Sequence, residues 1–248
     1  MILAWHQTSD RFYPGINNMK PRTVLGILDL LRDWGISFWR GDQFESDRVA
    51  NRTAVITFDD GYQDNYPLLA RLCSQHITPI VFMPTAYVGR QNAWEYSSRV
   101  FPARHLSADE MKRLVDLGVI IGSHGVSHMS LDGMTGVRLR RELHDSKAEL
   151  EQIIGRTVDL ISYPFGRFTP AVNEAAQSCG YRHALALDPE ECRAGGGGFV
   201  LPRIPIYAAD GYFSLKAKLT HPGRIERLKG RIIGRLAGGS IIRLRALN

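Results

Sequence analysis

Short apolar runs alternate with helix-period segments along most of this chain. Ile2–Trp5 opens as an extended apolar run, and similar runs recur at Ala54–Phe58, Ile80–Met83, Val119–Ile121, Leu160–Tyr163, Ala184–Leu187 and Phe199–Ile206. Pro21–Trp34 carries Val24, Leu25, Leu28 and Leu31 at helical spacing and stops at Gly35. Further helices are expected over about Asn65–Gln75, Ala108–Leu117, Val137–Ile154 and Ala171–Cys179. Ser107 and Glu110 match a capping box at the start of the third helix, and Gly155 and Gly180 end the last two. The polar, aromatic stretch from Tyr87 to Phe101 reads as the longest loop. Repeated β/α units of this kind define an α/β chain with a parallel sheet.

The chain's 248 residues, 44% of them hydrophobic, suffice for one substantial core. The formal net charge of +6 would suit a polyanionic partner if it were spread over a face. It is concentrated instead between Arg224 and Arg245, where seven basic residues face the single acid Glu226. The rest of the chain is close to neutral, which argues against nucleic acid as a partner. The three cysteines, Cys73, Cys179 and Cys192, are odd in number and lack C-x-x-C spacing, as in a reducing compartment without a thiolate zinc site. With no signal-length apolar stretch at the start and no run near ~20 residues, the expected location is cytoplasmic.

The polar residues that end the apolar runs change the picture. Asp59-Asp60-Gly61 follows the second run, Gly122-Ser-His-Gly-Val-Ser-His128 the fourth, and Pro164-Phe165-Gly166 the fifth. In a parallel barrel these positions share the C-terminal rim, where such folds build active sites. Asp-Gly alone is an ordinary turn, and a lone His-x-x-x-His pair is weak. The four-residue spacing does put both imidazoles on one face of a helical turn. One carboxylate with two histidines suits zinc or another late first-row divalent ion, and leaves the other carboxylate free as general base.

Here the sequence resembles the polysaccharide deacetylases with a NodB homology domain, carbohydrate esterase family 4. The resemblance runs in order through Trp5-His6, Thr57–Gly61, Pro79–Phe82, Leu106–Met111, Leu117–His124, His128, Glu142 to Leu150, Ser162–Gly166, Gly180-Tyr181 and Leu201–Ile204. It implies a distorted (β/α) barrel with about seven strands and its active site at the C-terminal strand ends. It implies Asp59 as catalytic base, Asp60, His124 and His128 as metal ligands, and the Phe165 backbone N–H as oxyanion donor. The cofactor is one divalent ion, with zinc ahead of cobalt or nickel, and the substrate an N-acetylated glycan. The circularly shifted branch, similar to poly-N-acetylglucosamine deacetylases, supplies the general acid from an N-terminal histidine, which here is His6. Many members carry an arginine two residues before the third motif's proline to orient the base; Ser162 stands there in this chain. Gly125 likewise replaces the usual hydroxyl residue after the first histidine.

Arg203 is a candidate to lie near the site and orient Asp59 in place of that arginine, and it is grouped with Trp94 and Tyr163 as substrate-contacting. Tyr96 and Phe101 are further aromatics that sugar rings could stack on. His76, His105, His144 and His183 lack partner spacing and are set aside, as is His221 in Leu219-Thr-His221. The Gly195–Gly198 run reads as a loop rather than a phosphate cradle. Residues 1–212 are expected to form the catalytic domain, with 213–248 a basic amphipathic tail. That tail reads either as a contact with anionic lipid at the inner membrane face or as a helix packed back on the barrel. The activity expected is hydrolysis of N-acetyl groups from acetamido sugars, releasing acetate. A deformylase or amidase on a lipid-linked amino sugar would use the same site, and an inactive carbohydrate-binding member is the alternative of another class.

Overall fold

The computed structural model describes residues 1–13, 16–46, 49–94, 100–187, 192 and 198–220. Strands β1 (Ile2–Trp5), β2 (Gln7–Thr8) and β3 (Asn18–Met19) precede helix α1 (Pro21–Asp33). Then follow β4 (Ser37–Phe38), β5 (Thr53–Phe58), α2 (Tyr66–Ser74), β6 (Pro79–Met83), α3 (Ala108–Asp116) and β7 (Ile120–Ser123). Helix α4 (Gly136–Ile154), β8 (Leu160–Ser162), α5 (Pro170–Ser178), β9 (His183–Ala186), β10 (Val200–Pro202), β11 (Ile204–Pro205) and α6 (Tyr212–Thr220) complete the order. The elements form for local reasons that the sequence carries. Helix α1 starts on Pro21, whose missing N–H costs nothing at that position, and buries Val24, Ile27, Leu28 and Leu31. At α3 the capping box forms in both directions: the Glu110 N–H donates to Ser107 Oγ and the Ser107 N–H to Glu110 Oε2.

Among the described residues the strands pair in parallel, in the order β10-β9-β8-β7-β6-β5-β1-β11 with the short β4 beside β5, and β2 pairs with β3 apart from them. The ends of that path are neighbours in sequence. The expected single run Phe199–Ile206 is split at Arg203, so that Val200–Pro202 pairs with β9 and Ile204–Pro205 with β1. One segment thus closes the barrel by pairing first with one edge and then with the other. All seven expected strands are present, and the split of the last is what an unbroken apolar pattern could not reveal.

Strand alternation sorts the core into two clusters. Leu3, Ala54, Ile56, Val81, Ile161 and Ala184 face outward against the helices. Val55, Ile80, Phe82, Leu160 and Leu185 face inward, with Trp39 and Phe44 packed at the N-terminal end. Continuing the inward positions of β5 and β8 by one step reaches Thr57 and Ser162, which are polar and fully buried. The barrel is therefore apolar below and polar above, and that upper layer supports the site. Gly122 of β7 leaves room for Phe82, since a Cβ there would lie 2.5 Å from its ring.

Residues 213–220 of the expected tail belong to α6, which buries Leu215 in the main core cluster. Its Lys218 pairs with Asp210 and donates to the Pro205 carbonyl. Residues 221–248, with His221 and the basic stretch, lie outside the described residues, as do Tyr96 and 195–197 of the glycine run. Among the described residues, no helix is long and apolar enough to cross a membrane.

Candidate active site

Asp59 is the first residue beyond β5, and its two oxygens each accept a hydrogen bond from the Arg203 guanidinium at 2.7 Å. Arg203 is only 1% exposed and also donates to Thr57 Oγ1 at 3.2 Å and Ser162 Oγ at 2.8 Å. One guanidinium thus ties β5, β8 and the closing segment together beneath the carboxylate. Burial opposes ionisation of Asp59, but Arg203, with His124 and His6, outweighs it and holds the carboxyl below its usual range. A bidentate arginine fixes the carboxylate plane and leaves each oxygen a lone pair to accept a proton. Of the two contacts expected of Arg203, its side chain makes the one with Asp59 and, enclosed there, does not reach a substrate. Ser162 completes the exchange, since its small hydroxyl accepts from the arginine that arrives from the other edge.

Asp60 turns the other way. Its backbone is left-handed, φ 67°, and its Oδ1 faces His124 Nε2 at 3.5 Å and His128 Nε2 at 3.0 Å. His124 Nδ1 donates to the Ser162 carbonyl at 2.7 Å, which fixes the ring so that Nε2 is the nitrogen turned toward Asp60. The ligand atoms of the three residues all lie within 4.8 Å of one another, and all three side chains are buried. Burial opposes the charge on Asp60, yet His128 and His124, with His6, hold its carboxyl well below the ordinary carboxylate range. One carboxylate oxygen and two inward imidazole nitrogens can hold a single metal ion.

The two histidines do not share a helical turn, as their spacing suggested. They lie on the loop after β7, and His128 has φ 56°. Glu142 of α4 accepts hydrogen bonds from the Val126 and Ser127 N–H groups and from Ser127 Oγ. Gly125, at φ 75°, lets this happen, because a Cβ there would stand 3.1 Å from Glu142 Oε2. Phe165 follows β8 in a single 3-10 turn, Pro164–Gly166, with φ 62° and its ring 5.0 Å from that of His128. Among the described residues five non-glycine positions have positive φ, and three of them are Asp60, His128 and Phe165. Such backbone costs about 1–3 kcal/mol each and persists where the surroundings impose it.

Half-buried His6 stands between β1 and β2, its carbonyl accepting from Asn65 Nδ2 at 2.7 Å. It lies near enough to both carboxylates to add to the lowering of Asp59 and Asp60. Trp94 is 9% exposed and stacks on His128 at 4.1 Å between centroids, with His105 and Tyr87 on its other sides. It is a wall of the cluster. Tyr163 is corrected: it is wholly buried in the core and its hydroxyl donates to Asn173, which leaves it nothing to offer a substrate. Phe101 packs edge-on against Phe12 at the surface.

Two residues at the site carried no local signal of a role. His105, set aside for want of a partner at suitable spacing, is buried with Nδ1 2.7 Å from the Asp60 carbonyl and its ring stacked on Tyr62. Burial pushes its pKa down to about 4, so the ring is a neutral donor that secures the turn at Asp60. Glu142 lies mid-helix, where an acidic residue reads as solvated surface.

A nearly closed parallel barrel whose rim joins a buried Asp-His-His cluster to an arginine-held carboxylate defines an α/β barrel protein with a site fit for a metal ion. The chain belongs to the polysaccharide deacetylase family, whose sequence model matches residues 46–184. That span contains Asp59, Asp60, His124, His128 and Phe165 and stops short of His6 and Arg203 on either side. YxkH of Bacillus subtilis (strain 168), assigned by name alone to the polysaccharide deacetylases, is 27% identical over 160 residues, 64% of this chain and 53% of its own. The peptidoglycan-N-acetylmuramic acid deacetylase PdaA of the same organism is 26% identical over 146 residues, 57% of this chain and 49% of its own. The chain spans about half the length of these curated relatives. The crystal structure of BC0361, a polysaccharide deacetylase from Bacillus cereus, superposes with a TM-score of 0.69 at 22% identity, covering 88% of this chain and 68% of that one. That similarity speaks for the fold.

Proposed function

We propose that this protein is a metal-dependent hydrolase that removes N-acetyl groups from acetamido sugars of a glycan. The observation that carries the reading is the division between the two adjacent carboxylates. Asp60 meets His124 and His128, while Asp59 is gripped by Arg203 and turned away from the cluster. The family's relatives support the substrate class, since PdaA is by name a deacetylase of a peptidoglycan sugar.

Asp60, His124 and His128 would hold the ion, zinc before cobalt or nickel given two imidazoles and one carboxylate. When bound, such an ion acts as a Lewis acid toward water and the acetamide carbonyl. Asp59, kept ionised and oriented by Arg203, takes the proton of the attacking water. The Phe165 backbone N–H donates to the oxyanion that develops on the acetamide oxygen. His6 gives a proton to the departing amine, and acetate and a free amino sugar result.

The test is metal content of the purified protein together with amine release from N-acetylglucosamine oligomers before and after chelation. About one equivalent of metal and chelator-sensitive release are expected. A protein that takes up neither zinc nor cobalt would overturn the reading.

A further inference from the structure

The loop from Ser123 to His128 carries two of the three candidate ligands without any helical ladder to shape it. We infer that Glu142, on α4, is the positioning residue that holds this loop in its ligand-bearing form. The inference rests on reading Asp60, His124 and His128 as a metal centre. Among the described residues Glu142 touches no ligand atom, and its carboxylate engages only the loop between the two histidines. Oε2 accepts the Val126 N–H at 2.8 Å and the Ser127 N–H at 2.9 Å, and Oε1 accepts the Ser127 hydroxyl at 2.5 Å. One helical turn further along α4, Ser146 Oγ meets Ser123 Oγ at 2.8 Å, and Ser123 Oγ accepts the Gly125 N–H at 3.1 Å.

The opposite side of the loop is held by the segment after β6. The His124 N–H donates to the Met83 carbonyl, and the Gly125 and Val126 carbonyls accept from the Thr85 and Ala86 N–H groups. Every backbone N–H from His124 to Ser127 therefore has a partner, and α4 supplies the acceptor for two of the four. Two N–H donors converging on one oxygen favour a charged acceptor over an amide or a water. Gly125 thins the chain at the closest approach, as a Cβ there would sit 3.1 Å from Glu142 Oε2. Without this clamp the Val126 and Ser127 N–H groups lose their acceptor on the α4 side, and the loop is free to sample forms in which the two imidazoles diverge. Apparent metal affinity falls by the fraction of time the competent form is lost.

Three variants separate positioning from bulk stability: Glu142→Ala, Glu142→Gln, and Leu139→Ala, which truncates a buried residue on the same helix. Cobalt(II) binding is followed by visible absorption and zinc binding by calorimetry. Alongside, the metal-free protein is assayed for melting temperature and for hydrogen exchange at the Val126 and Ser127 amides. Glu142→Ala is expected to weaken metal binding roughly 10–100-fold and to expose both amides. Glu142→Gln keeps an acceptor for the two N–H groups and should recover most of the affinity. Leu139→Ala should lower the melting temperature and leave metal affinity alone. Wild-type affinity in Glu142→Ala would overturn the inference, as would an equal loss of affinity in Leu139→Ala. If the wild type itself binds neither metal, the metal-centre reading fails and the clamp falls with it; intact wild-type binding with intact Glu142→Ala binding sinks the clamp alone.

Discussion

Asp59 and Asp60 are adjacent in sequence and chemically opposed in structure. Two carboxylates at one strand end repel unless something separates their roles, and the left-handed φ of Asp60 does so by turning the second away from the first. Asp59→Asn should therefore retain metal and lose amine release by about 10²–10⁴-fold, whereas His124→Ala should lose both. Metal analysis paired with turnover decides it; equal metal loss in the two variants would refute the division of labour. His105 makes a separate prediction. Its folded pKa of about 4 lies below the 6.5 of an exposed histidine, so the unfolded chain binds the extra proton between those values. Stability is then present above about pH 6.5 and falls as pH drops toward 4, by up to about 3 kcal/mol from this residue. Urea denaturation across that window should show the slope, and His105→Phe should flatten it.

At the scale of elements, the barrel wall is built from residues that fit one another across strands. Phe82 on β6 lies over Gly122 on β7, and Arg203 stands above the Phe82 ring at 5.4 Å. Gly122→Ala should cost about 1–3 kcal/mol, since its Cβ would need the aromatic ring to move and the ring supports the guanidinium above it. Phe82→Leu in the same chain should recover much of that loss. Chemical denaturation of the single and double variants measures the coupling, and simple additivity would mean that the two positions do not share the space. Helix α4 matters in the same way, because one of its faces both packs into the core through Leu143 and Leu150 and reaches the histidine loop through Glu142.

For the whole molecule, the site is where closure of the barrel and charge pairing coincide. Arg203 sits where the last segment passes from β9 to β1, so the guanidinium that orients Asp59 also occupies the seam. A metal at Asp60, His124 and His128 would join the ends of β5 and β7 and bind the folded chain alone. Saturating zinc should therefore raise the melting temperature, with a gain of about 3 kcal/mol at a hundredfold excess over Kd. Thermal scans with and without chelator test this, and no shift for wild type would argue that the cluster holds no ion. The effect should vanish in His124→Ala.

Apart from the short β2, β3 and β4 and helix α6, the order of strands and helices and the placing of Asp59, His124 and Phe165 just past strand ends were legible in the sequence. These depend on local periodicity and on turn residues that act over a few positions. The family resemblance added roles to residues whose spacing alone is weak. What the sequence could not supply were the partnerships across distance: His105 with the Asp60 carbonyl at 45 residues apart and Glu142 with the Val126 N–H at 16, while Arg203 with Asp59, at 144, was one candidate role among two. Tyr163 shows the same limit from the other side, since its pattern fits a rim residue and only packing turned its ring into the core. A buried charge or unpaired donor must find a partner somewhere in the folded chain. Which partner it finds is set by strand register and by where the last strand breaks to close the barrel, and only the tertiary structure decides that.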